Sequence, residues 1–192
     1  LASQFQCSRG TIRSAMQHLE DRGLVSRKMG SGTFVHWQEA ADQNEIANTT
    51  SPLEMIEVRL CIEPQLAKLA VLNATGRDLD LMLEALEELE QCGEDREKFS
   101  EADSRFHRAL ALSSGNALFV WMYKTINDIR GHNAWNKMKQ KVLSVERMAE
   151  YNQQHRAIYE AILARDVERA VGVVVGHLEG AKGDLLGAAN FR

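Results

Sequence analysis

The chain has 192 residues, 44% apolar and 26% charged, enough for one sizeable buried core or for a small domain beside a larger one. No apolar run approaches the roughly 20 residues that span a bilayer, and no signal-peptide pattern appears, so the expectation is a cytoplasmic protein with no membrane partner. The net charge of −4 is uneven: in residues 1–36 five basic side chains face two acidic ones, a head of +3 on a body of −7, so that only the head suits a polyanion.

The chain opens at Leu1 in what reads as mid-helix, without Met, as a fragment whose first elements are missing would. Leu1-Ala-Ser-Gln-Phe5 is expected to be the tail of one helix, Gln6-Cys7 a short turn and Ser8 an N-cap. Ile12, Ala15, Met16 and Leu19 recur at helical spacing from about Arg9 to Arg22, and Gly23 is a C-terminal stop. Residues 24–28 and 33–35 read as strands joined by Met29-Gly-Ser-Gly32, a hairpin. Helix, tight turn, helix and basic hairpin is the layout of a winged helix-turn-helix. On the second helix Ser8 and Thr11 can bond phosphates or base edges, and Arg9 and Arg13 share a face. Gly30 and Gly32 would let the wing backbone approach DNA. The same pattern also fits an amphipathic helix and hairpin with solvated arginines.

The residues themselves carry a resemblance. Cys7-Ser-Arg-Gly-Thr-Ile-Arg13, Gly23-Leu-Val25 and Gly30-Ser-Gly-Thr-Phe-Val35 resemble the DNA-binding domain of the GntR family of bacterial transcription regulators, over all of residues 1–35. The resemblance implies operator contacts from Ser8, Arg9, Thr11 and Arg13, with Gly32 at the wing tip. Gly10 departs from the pattern, which often has a DNA-touching side chain there, and the contacting Arg of the family's first helix is lacking.

Residues 37–50 carry no sustained period and read as a linker. From Ser51-Pro-Leu-Glu54, a strong helix start, every segment looks helical. Helices are expected near 52–72, 76–91, 94–113, 116–131, 146–164 and 166–186, with a short one around 133–141. Pro64 should kink the first of them. The body, residues 51–187 with a tail at 188–192, is expected to be an antiparallel all-α bundle. Cys7, Cys61 and Cys92 have no Cys-x-x-Cys spacing and read as free thiols.

Asp103 and His107 lie four apart, on one helical face. His155 runs with Tyr151, Ile158 and Ile162, and His177 with Val174, Leu178 and Ala181, on core-facing stripes. Alone, each histidine reads as a core imidazole satisfied by a hydrogen bond; the four together raise a metal site, and spacing leaves both readings open. Nitrogen and oxygen donors without thiolate leave zinc, nickel and manganese all acceptable. Arg59, among Ile56, Leu60 and Ile62, is either a surface or ion-paired residue or an inward clamp for a carboxylate ligand. Arg130-Gly-His-Asn-Ala-Trp135 is a polar and aromatic cluster that reads equally as an inter-helix turn.

Leu53-x-x-Ile-Glu-Val-Arg59, Glu101-Ala-Asp-x-x-Phe-His-Arg-Ala-Leu110, Gly115-Asn116, His155-Arg-Ala-Ile158 and His177-Leu-Glu179 resemble the effector domain of the FadR subfamily, often called FCD. The resemblance implies a divalent metal on Asp103, His107, His155 and His177, and a small carboxylate effector met by Arg59, with Arg130 and Trp135 as further candidates. The stretch around Asn133-Ala-Trp135 is loosely similar to regulators of sugar-acid catabolism. The leading reading is a homodimeric transcription regulator, a repressor, that binds operator DNA and a small organic acid. The alternatives are a metal-dependent hydrolase and a helical dimerisation module with a metal-free pocket.

Overall fold

The structure, a computed structural model, describes residues 1–21, 24–28, 30–35, 46–47, 49–130 and 142–189. It forms two compact units, Leu1–Ile46 and Ala47–Arg192.

In the first unit, α1 (Arg9–Asp21) begins at Ser8, whose Oγ accepts the Thr11 amide at 3.0 Å and lies 2.9 Å from the Thr11 hydroxyl. Residues 1–5 close as a single helical turn, in line with the expected helix tail: the Phe5 amide donates to the Leu1 carbonyl at 2.9 Å and the Cys7 amide to that of Ala2 at 3.1 Å. They belong to a run of turns that ends where Gln6 takes a φ of +49°, a conformation that no helix continues. Strands β1 (Val25–Lys28) and β2 (Gly32–Val35) pair antiparallel, with Val25 opposite Val35 and Lys28 opposite Gly32. Gly30 and Gly32 at the hairpin tip have φ of +78° and +101°, a region open to glycine at no steric cost. Arg27 of β1 bonds back to α1, 3.1 Å from both Glu20 and Gln17. Helix, turn and hairpin make the winged helix-turn-helix that the sequence predicts.

The second unit is helical throughout its described residues: α2 (Pro52–Asn73), α3 (Gly76–Gln91), α4 (Arg96–Ser113), α5 (Ala117–Arg130), α6 (Val145–Leu163) and α7 (Val167–Ala189). Ser51 with Glu54 and Thr75 with Asp78 form reciprocal capping boxes, and Asp95 and Ser144 cap α4 and α6. Helix α2 runs on through Pro64, and α7 reaches Ala189, past the expected end at 186. Its last turns are held by buried Leu185 and by Asp184, which accepts from Arg147 of α6. The α6–α7 turn reaches back to the end of α2, where the Arg165 guanidinium donates to the carbonyls of Val71 and Ala74, both at 2.6 Å.

Helix α2 packs mainly along α7 and α4, α3 lies against α4 and α6, and α6 against α7. Phe99, Phe106, Leu66, Leu86, Leu110, Tyr123 and Ile158 fill the core between them. None of the described helices is long and apolar enough to cross a membrane, and Cys7, Cys61 and Cys92 are free thiols. The short helix expected around 133–141 and most of the linker at 37–50 lie outside the described residues.

Candidate functional site

Three helices bring the predicted ligands into the centre of the apolar body. Helix α4 supplies Asp103 and His107, α6 supplies His155, α7 supplies His177, and all four are buried. One ligand atom from each lies within 4.8 Å of the other three. Asp103 Oδ1 is 3.2 Å from His155 Nε2 and 3.5 Å from His107 Nε2, and the two Nε2 atoms are 3.3 Å apart. Ions bound by such donors at about 2.0–2.2 Å require separations of this order.

The outer partners of two rings assign their tautomers. His177 Nδ1 is 2.8 Å from Gln154 Oε1 of α6, so the ring proton sits on Nδ1 and Nε2 keeps its lone pair. Burial, with His155, His107 and Arg59 nearby, pushes the His177 imidazole well below its usual range, toward the neutral form that a metal ligand needs. Arg59 Nη2 lies 3.1 Å from His107 Nε2 and can only donate, so that imidazole nitrogen keeps its lone pair, while His107 Nδ1 lies 2.9 Å from Glu63 Oε2. The donor set therefore suits a divalent ion: three imidazoles, at least two presenting unprotonated Nε2, and one carboxylate in a buried space.

The Arg59–Glu63 pair completes the cluster. Arg59 turns inward, but the carboxylate it clamps is its own neighbour's: Arg59 Nε donates to Glu63 Oε1 at 2.5 Å and Nη2 approaches Oε2 at 3.5 Å. Arg59 Nη2 also lies 3.1 Å from His107 Nε2. The Tyr123 hydroxyl of α5 donates to Glu63 Oε1 at 2.8 Å. Burial alone would push the Glu63 carboxyl up, yet Arg59 and His107 hold it well below the usual carboxylate range, so Glu63 stays ionised. The Arg59 guanidinium, opposed by its burial and favoured by Glu63, likewise keeps its charge.

Sequence reasoning missed Glu63, Tyr123 and Gln154. Glu63 had a legible signal: Ile56, Arg59, Glu63, Leu66 and Ala70 recur at spacings of three and four, so both charges lie on the buried stripe of α2. Tyr123 and Gln154 had none, because their roles depend on which helices pack together. In the first unit Ser8, Arg9, Thr11 and Arg13 are all exposed around the N-terminal turns of α1, and Gly32 opens β2. The side chain of Arg130, and all of Trp135, lie outside the described residues.

A DNA-reading winged helix-turn-helix and a helical body with a buried polar pocket together define a ligand-responsive DNA-binding regulator. The family profile for the FCD domain matches residues 54–180, and that for bacterial regulatory proteins of the gntR family matches residues 1–35. The chain belongs to the GntR family of transcription regulators, with an effector-binding FCD domain as its body, and is not an enzyme. The HTH-type transcriptional regulator LutR of Bacillus subtilis is 30% identical over 200 residues, covering 97% of this chain and 89% of that protein. The Exu regulon transcriptional regulator of Escherichia coli strain K12 is 30% identical over 190 residues, covering 95% and 72%. The structure of Streptococcus agalactiae GntR superposes with a TM-score of 0.58 at 22% identity, over 94% of this chain and 84% of that one, a likeness of fold. The hydrolase alternative falls with these matches, since the relatives are regulators.

Proposed function

We propose that the chain is a homodimeric repressor whose affinity for operator DNA is set by a small organic acid held at a divalent ion in the FCD domain. The observation that carries this reading is the convergence of Asp103, His107, His155 and His177 on one buried spot, with Gln154 and Glu63 fixing two of the rings. These four residues would hold the ion; their donor types accept zinc, nickel or manganese, and the likeness to metal-binding FCD domains favours zinc. Bound there, it supplies a positive charge for a carboxylate to meet.

Arg59 stands beside it as a second cation. Its Nη2 hydrogen bond to His107 Nε2 uses the lone pair that an ion would take, so metal binding frees that donor for an incoming carboxylate. In the head, Arg9 and Arg13 would reach base edges and phosphates, with Ser8, Thr11 and the Gly32 backbone beside them. Two copies on a palindromic site give the specificity that one helix, reading a few base pairs, lacks. The acid regulates only if it binds the DNA-competent and DNA-incompetent states unequally.

The test joins metal analysis to DNA binding. Protein purified without added metal should carry about one divalent ion per chain, as a four-ligand site implies. His107→Ala and Asp103→Ala should abolish it. Small acids should then change operator affinity in the metal-loaded protein and lose that effect after chelation. An acid response that survives both chelation and His107→Ala would overturn the metal-centred reading.

A further inference from the structure

The Nε2 atom of His107 is a meeting point within the buried cluster. Asp103 Oδ1 lies 3.5 Å from it and His155 Nε2 3.3 Å, but Arg59 Nη2, which is no ligand candidate, comes closer than either, at 3.1 Å. A guanidinium nitrogen only donates, so Arg59 points a proton at the Nε2 lone pair. A zinc-sized ion would take that same lone pair at about 2.0–2.1 Å. One lone pair cannot serve both, and two positive charges so close repel strongly in a buried space. Arg59 and the ion therefore compete for His107.

Arg59 is also placed to give way. Its Nε donates to Glu63 Oε1 at 2.5 Å, while its Nη2 stands 3.5 Å from Oε2, too far for a full hydrogen bond. Glu63 is itself held by the Tyr123 hydroxyl, which donates to Oε1 at 2.8 Å. With Nε anchored on that carboxylate, a small rotation takes Nη2 off His107 while the buried charges of Arg59 and Glu63 stay paired. Arg59, Asp103 and His177 line one cavity, so a donor that leaves His107 can meet a carboxylate entering there.

We infer that Arg59 is a built-in competitor of the metal ion: it caps His107 in the metal-free protein, lowers the affinity of the site for the ion, and yields when a carboxylate takes up the displaced guanidinium. Ion and acid then bind with positive cooperativity, and the factor by which the acid raises affinity for the ion equals the factor by which the ion raises affinity for the acid. The ion is a co-effector, sensed jointly with the acid. This rests on the metal-centred reading above and adds how that site is regulated.

The experiment measures zinc affinity of the full, metal-stripped chain by competition with a chromogenic chelator, each form being checked for its fold by circular dichroism. A cation beside a metal site is ordinarily a supporting group whose loss weakens binding; here the sign is reversed. Arg59→Gln should bind zinc about tenfold more tightly than wild type, the worth of one hydrogen bond from a charged donor. Arg59→Lys keeps a charge beside Glu63 but ends one bond short of Nη2, and it should bind zinc severalfold more tightly. If Arg59→Gln does not fold, with Glu63 left unpaired, Arg59→Lys decides. Acetate, at constant ionic strength and corrected for its own weak hold on zinc, should raise the zinc affinity of wild type more than that of either variant. A gain that is equal in all forms, or absent, would overturn the coupling to the acid. If wild type binds zinc and no folded variant binds it more tightly, the inference falls and the metal site stands. If no folded form binds zinc at all, the metal-centred reading falls with it.

Discussion

Glu63 ties the candidate site to residues that are not themselves ligand candidates. It accepts from Arg59 and Tyr123 and sits against His107 Nδ1, joining α2, α5 and α4 at one carboxylate with no solvent exposure. As an outer partner of a ligating imidazole, it should matter nearly as much as the ligands. Glu63→Gln is expected to weaken metal affinity about 10- to 100-fold, read by competition with a chromogenic chelator. An unchanged affinity would show that Glu63 serves only to neutralise Arg59. The four ligand candidates were legible because a helix places residues four apart on one face and core stripes declare themselves by period. Which stripes meet is a property of packing, so Gln154 and Tyr123 stayed hidden. Arg59 was legible as a possible inward cation, but its carboxylate partner proved to be internal.

At the scale of single elements, the helix caps make a pH prediction. The Asp95 carboxyl lies below its ordinary 3.8 because the Lys98 and Glu97 amides donate to it, and the Glu54 carboxyl below 4.5 because it accepts the Ser51 amide. Both folded pKa values are depressed, so their stabilisation is fully present above the unfolded values and is lost as pH falls through the folded ones. Thermal stability should decline below about pH 4.5. Asp95→Asn, which caps without titrating, should flatten part of that decline in unfolding measured from pH 6 to 3. Wild-type and variant curves that run parallel would show that other carboxylates govern it. In α1, Gly10 is exposed, and a Cβ there would meet only Ser8 Oγ, at 3.5 Å, an ordinary contact. Gly10→Ala should therefore stabilise the head by roughly 0.5–1 kcal/mol, measured by chemical denaturation. Helix starts were the most legible boundaries, because Ser8 and Ser51 announce them chemically. The break after residues 1–5 was legible as a turn at Gln6-Cys7, but the left-handed φ of +49° that makes it was not, because no side-chain preference signals it at a glutamine.

For the molecule as a whole, the two charge regimes assign separate tasks. The head carries +3 against −7 elsewhere, with Arg9 and Arg13 exposed near the start of α1. Operator affinity should fall steeply with salt. Arg13→Ala should lessen the slope of log affinity against log salt by about 1 if it meets a phosphate, or cost about 1–3 kcal/mol at one base position if it reads an edge. Filter binding from 50 to 300 mM salt separates these outcomes, and no change in either would remove Arg13 from the interface. The two-unit organisation was legible from composition alone, since strand signals end near residue 36 and capped helices begin at Ser51. The chemistry of the buried cluster was less so, because Glu63, Tyr123 and Gln154 join it only once separate helices pack together.

The clasp between Arg165 and the end of α2 bears on how the protein is made. Helix α2 is the first of the body to leave the ribosome and α7 the last, yet α2 packs more extensively on α7 than on any other helix. At elongation rates of about 5–20 residues per second, the intervening chain takes on the order of ten seconds to appear. Throughout that interval Arg59 and Glu63 have neither the histidine of the last helix beside them nor a closed core around them. A nascent chain therefore carries a finished DNA-reading head well before it has anything with which to sense.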